Sequence, residues 1–303
     1  MGNYGRIKKK SEERITMDFK KATIKDRDEI EKYLNMTKRH SLEYSFTTLY
    51  LWQEQYNMEF CIDDDVLFIR SGKDKKMYLF PMGNGDIKKA VECLATENVT
   101  FYSLSEEQAD LLNAWYPEKY SFIESRDMGD YVYRTEDLAY LKGKKLSAKR
   151  NHINRFIAEN PGWCYEDITP DNIEEVKLMH QKWCELADDE KGLFEESVAV
   201  KTALDNYFEL RFSGGLIRVN GKVCAFSVGD RLSDSTFLVH IEKAYTEFGG
   251  AYQLINREFV LHNCMEYEFV NREDDTGNAG LRKAKLSYRP YEIVKKYMAK
   301  VKN

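Results

Sequence analysis

The chain has 303 residues, 43% of them hydrophobic, with 20 Tyr, 16 Phe and only 5 Pro. This is a globular composition with length for about two domains, and it excludes a disordered chain. The formal net charge of −5 gives no overall attraction to nucleic acid or an anionic membrane, so any polyanion site has to be local.

Residues 1–16, "MGNYGRIKKKSEERIT", are polar and basic and lack an apolar signal core. They read as a flexible basic segment, with Met17 as an alternative start. Gly2 invites a lipid, but Arg6 stands where Ser or Thr is wanted. No apolar run approaches the length of a membrane span. The first domain then runs over 17–140. "KDRDEIEKYLNM" and "SFTTLYLWQEQY" have helical spacing. "FCIDDDVLFIR" and "KMYLFPM" read as strands with "SGKDKK" as the turn between them. "GNGD" precedes a helix, "IKKAVECLA"; a strand, "VTFYSL", follows. The next helix opens with a capping box formed by Ser105 and Gln108.

The second domain, 141–303, begins with a linker helix. From Leu141 to Arg155 there are six Lys or Arg and no acid. Leu146, Ile153, Phe156 and Ile157 fall on one face, with Lys145, Lys149 and His152 on another. "WCYEDIT" is a short strand, and Asp171 is placed to cap the helix "NIEEVKLMHQKWCELA". A second helix follows near "FEESVAVKTALDNYFEL". Asn220–Gly221 between two β-rich runs predicts a hairpin. The strand "STFLVHIEKA" leads through "YTEFGGAY" into the helix "QLINREFVLHN", and "EYEFVN" is the next strand. Leu281, Ala284 and Tyr288 then share a helical face that Pro290 ends, and "YEIVKKYMAKV" alternates like an edge strand. Both halves thus run strand, Gly loop, helix, strand, helix, which reads as a structural duplication.

Three stretches can carry chemistry. At Phe248, Gly249, Gly250 and Ala251 a strand enters a helix through glycines, which leaves backbone N–H groups able to receive an anion; a tight turn would use the same residues. The basic helix at 142–155 can hold a polyanion such as an RNA backbone, with Asn151, Asn154 and His152 adding hydrogen bonds, or can be a solvated face. Asn271, Arg272, Glu273 and Asp274 follow a buried-looking strand, a common place for ligand contacts. They can equally be salt-bridged to Arg282 and Lys283. The six cysteines form no close pair and fit a reducing, cytoplasmic setting. His180 and Cys184 are four apart on a helix without a second ligand pair, so they read as packing and no metal is expected.

"LSAKRNHINRF", "YTEFGGAYQLINREF" and "NREDDTGNAGLRKAKLSYRP" resemble the motifs of the lysylphosphatidylglycerol-synthase C-terminal domain family, in its short branch. The resemblance covers nearly all of 17–303. It implies an α/β (mixed α+β) architecture of two tandem acetyltransferase-like (GNAT) domains, each a mixed sheet flanked by helices. It also implies kinship with the Fem-type aminoacyltransferases, which move amino acids from aminoacyl-tRNA. In that fold the fourth strand bulges and splays from the fifth, and the acyl donor lies in the gap. The donor's pyrophosphate rests on an Arg/Gln-x-x-Gly-x-Gly/Ala loop, which maps to Thr246–Ala251, with Thr246 departing from the pattern. The implied activity is acyl or aminoacyl transfer, from an acyl-CoA or aminoacyl-tRNA, to an amine or hydroxyl of a small molecule, peptide or lipid headgroup. An acetyl-CoA-dependent N-acetyltransferase and a non-catalytic module binding tRNA or a metabolite are the rival classes. On the resemblance, Glu242 or Glu273 is the base and Tyr288 the acid. Lys149, Arg150, Asn151, His152 and Arg155 would bind donor phosphates, and Asn271, Arg272, Asp274, Asn278, Arg282 and Lys283 would line the cleft.

Overall fold

The structure is a computed structural model that describes residues 17–37, 39–186 and 193–302. The basic segment 1–16 lies outside the described residues. Helices α1 (Arg27–Leu34) and α2 (Phe46–Trp52) come first. Strands β1 (Glu59–Asp63), β2 (Val66–Ser71), β3 (Met77–Tyr78) and β4 (Met82–Gly83) follow. Then come α3 (Ile87–Ala95), β5 (Thr100–Leu104), α4 (Glu106–Trp115), β6 (Tyr120–Glu124), β7 (Asp130–Arg134) and α5 (Thr135–Tyr140). The second half has α6 (Ser147–Glu159), β8 (Trp163–Asp167), α7 (Ile173–Leu186), α8 (Leu193–Asp205), β9 (Ser213–Val219), β10 (Lys222–Arg231) and β11 (Thr236–Ala244). It closes with α9 (Ala251–Asn263), β12 (Phe269–Asn271), α10 (Ala279–Leu286), β13 (Glu292–Val294) and β14 (Tyr297–Val301).

Two mixed sheets carry these elements. The first runs β1-β2-β3-β5-β14-β6, with β4 on β2; the second runs β13-β7-β12-β11-β10-β9-β8. Each contains an antiparallel ladder that meets one parallel pair, β3 with β5 and β11 with β12. Each parallel pair is crossed by a helix, so the two halves are tandem GNAT-like folds.

The division at residue 140 does not follow the sheets. Strand β7, from the first half, sits in the second sheet between β12 and β13. Strand β14, from the end of the chain, sits in the first sheet between β5 and β6. The stretch "YEIVKKYMAKV" is therefore two strands in two sheets: β13 is an edge, and β14 is interior. Alternation fixes which side chains point inward, but not which sheet receives the strand.

Local details follow from turn chemistry. Asn220 and Gly221 both take positive φ (49° and 80°), as a two-residue hairpin turn requires. "FCIDDDVLFIR" is also a hairpin and not one strand, because Asp64 and Asp65 take φ 51° and 58° and join β1 to β2. The Ser105–Gln108 capping box is present. At α7 the turn is closed by Asn172, whose Oδ1 accepts the Thr169 N–H at 2.8 Å, in place of the expected Asp171. Leu146, Ile153 and Phe156 bury the apolar face of the basic helix. At α10, Leu281 is exposed, and Lys285 and Tyr288 face inward.

Candidate active site

The parallel strands β11 and β12 pair only at Thr236–Phe269, Phe237–Val270 and Leu238–Asn271. Beyond Leu238, β11 continues to Ala244 with no partner on that side among the described residues, so a gap opens. A bulge accompanies it. Val228 pairs with Ile241 and Gly229 with Val239, which leaves His240 as the extra residue on β11. The His240 side chain is 2% exposed, while the residue as a whole is only partly buried. The exposure therefore belongs to its main chain.

Arg272, the residue after β12, reaches across to β11. Its Nη2 donates to Glu242 Oε1 at 2.7 Å, and the two side chains are 11% and 13% exposed. Asn256, on the inward face of α9, donates from Nδ2 to Glu242 Oε2 at 3.0 Å. The guanidinium lies 4.9 Å from the Tyr288 ring centroid and 5.8 Å from that of Tyr133. Lys149 Nζ stands 4.1 Å from the Tyr288 ring centroid. Arg272 Nη1 and Asn256 Oδ1 are buried without a partner among the described residues, and such groups are normally satisfied.

The electrostatics follow from this crowding. Burial, and then the Arg272 charge, lowers the Lys149 pKa. Burial raises the Tyr288 phenol well above its ordinary value, so it keeps its proton. Burial opposes the Arg272 charge, but Glu242 and the two tyrosines hold it up.

The acids of the β12–α10 loop have separate surroundings. Glu273 Oε1 accepts from His240 Nδ1 at 3.0 Å. Asp275 is clamped by Arg282, with Nη2 to Oδ1 at 2.6 Å and Nε to Oδ2 at 2.8 Å, and Tyr131 adds a hydroxyl at 2.5 Å. Burial opposes ionisation of Asp275, but Arg282 and Tyr131 hold its pKa far below the usual carboxylate range. Asp274 is half-buried. Burial raises its pKa to about 7, with Asp130 and Glu273 adding repulsion and Lys296 opposing.

Other residues singled out from sequence have structural tasks. Asn271 is buried and donates to Asp130 Oδ2 at 3.1 Å. Asn278 Oδ1 caps α10 by accepting the Leu281 N–H at 2.9 Å. Lys283 is exposed on the outer face. Arg150 donates to the carbonyls of Leu141 and Gly143, and Arg155 pairs with Glu159 at 2.8 Å. Each uses one guanidinium nitrogen in these bonds, which leaves its other N–H groups able to meet an anion. Asn151 and His152 are exposed.

The loop before α9 has two different glycines. Gly250 has φ 101°, and a Cβ there would meet His152 O at 2.4 Å, so it sets the approach of α6. A Cβ on Gly249 would meet nothing within 4 Å. Neither glycine N–H has a backbone acceptor among the described residues. Ala251 is buried at the first turn and Phe248 packs on Phe156. The equivalent loop of the first half is closed: Gly85 and Gly83 abut the carbonyls of Asp64 and Asp65, and Asp86 caps α3.

Sequence reasoning missed Asn256, Tyr133 and His240. An asparagine among Leu254, Ile255 and Phe259, and a histidine in an apolar strand, were the available signals. Among the described residues no group of three or more His, Cys, Asp or Glu could hold a metal.

The family model for the C-terminal part of phosphatidylglycerol lysyltransferase matches residues 34–300. The chain belongs to this family. A Bacteroides thetaiotaomicron protein of unknown function has a crystal structure at TM-score 0.90 with 40% identity, over 95% of this chain and 100% of that one. The C-terminal domain of an Agrobacterium fabrum protein described as a lysylphosphatidylglycerol synthetase matches at TM-score 0.62 and 14% identity, over 93% of both chains. FemX shares the fold at TM-score 0.53 and 8% identity, over 93% of this chain and 97% of that one. An uncharacterised Mycoplasmoides gallisepticum protein is 27% identical over 194 residues, which span 62% of this chain and 61% of that protein. Family and fold together support a GNAT-like acyl- and aminoacyltransferase superfamily. No helix among the described residues is long and apolar enough to cross a membrane.

Proposed function

We propose that the second half transfers an aminoacyl group from an RNA-borne ester to an amine or hydroxyl acceptor. The observation that carries this reading is the gap between β11 and β12, with Glu242, Arg272, Asn256, Tyr288 and Lys149 gathered in it. The family model, with its lysyltransferase description, supports the group transferred. Exposed Lys142, Lys144 and Lys145 form no ion pair among the described residues. They lie on the segment that leads into α6, the helix that carries Lys149, which favours a polyanionic donor over a small one.

In this reading the donor carbonyl lies against the exposed main chain of the β11 bulge. An N–H there stabilises the oxyanion, and such stabilisation usually contributes more to acyl transfer than any other single effect. The acceptor N or O attacks the carbonyl carbon and loses its proton to a carboxylate. Asp274 is the candidate because it lies two residues after Arg272 on the same loop and burial raises its pKa to about 7. Glu242 and Glu273 are each already held by a cation. The C–O bond to the donor breaks, and the protonated Tyr288 phenol supplies the leaving hydroxyl with its proton.

The test is consumption of lysyl-tRNA and of acetyl-CoA by the purified chain, and by Tyr288→Phe and Asp274→Asn. A loss of about 10²-fold or more in either variant supports the assignment. Unchanged rates in both remove it. Acetyl-CoA consumption without lysyl-tRNA consumption would make the chain an ordinary acetyltransferase.

A further inference from the structure

We propose that His240 is a positioning residue through which the first half of the chain sets the geometry of the gap. The inference rests on the transfer reading above. His240 is the bulged residue of β11. Its ring is held at both nitrogens, Nδ1 to Glu273 Oε1 and Nε2 to Asp230 Oδ1, each at 3.0 Å. Both partners are carboxylates, which accept only. A neutral imidazole carries one N–H, so satisfying both bonds requires the imidazolium. Burial opposes that charge, but the two carboxylates raise the pKa to about 9.

Each end of this clamp leads to a different part of the molecule. Asp230 is gripped from the first half by Arg27 of α1, with Nη2 at 3.3 Å, and by the Thr47 hydroxyl of α2. Glu273 is the residue after Arg272, and its own backbone sits at φ 56°, a conformation a non-glycine residue adopts only when held. Its N–H donates to Asn271 Oδ1 at 2.6 Å and its carbonyl accepts from Tyr131 N at 3.0 Å. The ring thus ties the bulge to the loop that carries Arg272 and Asp274. The groups facing the ring are Asp230 from β10 and Glu273 from the loop, with the apolar Phe212 ring 5.8 Å away. Arg27 reaches it only through Asp230.

A positioning role predicts a change in turnover more than in donor affinity. The experiment compares the full chain with His240→Gln and with Arg27→Gln, reading kcat and KM for lysyl-tRNA and acetyl-CoA between about pH 7 and pH 10. Histidine-selective NMR of the same samples gives the ring's titration. The expected result is a kcat loss of about tenfold or more in His240→Gln, with KM changed about twofold or less. Wild-type kcat falls above about pH 9 as the ring loses its proton, and that fall is absent in His240→Gln. Arg27→Gln, remote from the gap, lowers kcat in the same sense. An active wild type whose kcat is unchanged by His240→Gln overturns the inference, as does a His240 ring that titrates near its ordinary value. A wild type inert with both donors refutes the transfer reading itself, while the NMR titration still reports whether the clamp exists.

Discussion

Lys296 offers the sharpest test of how the two sheets are joined. Its side chain is 0% exposed, and Nζ lies 2.8 Å from Glu43 and 2.7 Å from Asp130, which are 6% and 0% exposed. It stands between the two strands, β13 and β14, that end the chain in different sheets. Lys296→Met removes the cation of the trio and leaves two buried carboxylates facing each other. Breaking a buried pair in this way costs about 3–5 kcal/mol. At about 2.1 cal/mol/K per residue, unfolding 303 residues carries about 0.6 kcal/mol/K, so a loss of about 4 kcal/mol lowers Tm by about 6 °C. The assay is thermal unfolding followed by circular dichroism at several pH values. In the variant, burial without a cation raises both carboxylate pKa values above their unfolded ones. Groups raised in this way add stability that is lost as pH rises, so the deficit should narrow as pH falls from 7 towards 5. A variant within about 1 °C of wild type at pH 7 would mean that the buried trio does not hold the two sheets together in this way.

The two adjacent glycines should separate cleanly. Gly250→Ala forces a Cβ against His152 O at φ 101° and should cost about 1–3 kcal/mol in denaturant unfolding, whereas Gly249→Ala should stay within about 0.5 kcal/mol. Asp275→Asn loses the Arg282 clamp and should cost about 3 kcal/mol at pH 7. Because the native pKa of Asp275 is depressed, its contribution is present above the unfolded carboxylate range and is lost as pH falls through the native value. The deficit should therefore shrink below about pH 4, read by urea unfolding across pH. Replacing Lys142, Lys144 and Lys145 with Ala should leave Tm unchanged, weaken tRNA binding and lower its salt slope by up to about 3.

The sequence was informative where local chemistry decides the outcome. Asn220–Gly221 can close only a tight turn, and Ser105 with Gln108 can only begin a helix. It was silent where the same pattern serves two ends. Asp64–Asp65 turns a chain as Asn–Gly does but reads as strand interior between apolar runs. Strands β7 and β14 exchange sheets through contacts far apart in the chain, such as Lys296 with Glu43, and no local period records that. In the site, the gap loop and the acid-to-base run were visible as stretches. Their division of labour was not: Asp275 and Arg282 brace each other, Arg272 turns into the gap, and Glu273 turns to His240. That sorting depends on which neighbour each side chain meets.

On the proposed function, the gap beside β11 receives an RNA-borne acyl donor. This is tested most directly by titrating the purified chain with lysyl-tRNA and with acetyl-CoA, each at about 50 and 200 mM salt. Lysyl-tRNA binding should weaken steeply with salt and fall further in Lys149→Ala, where the cation over Tyr288 is lost. Binding of neither donor at the lower salt would contradict this reading.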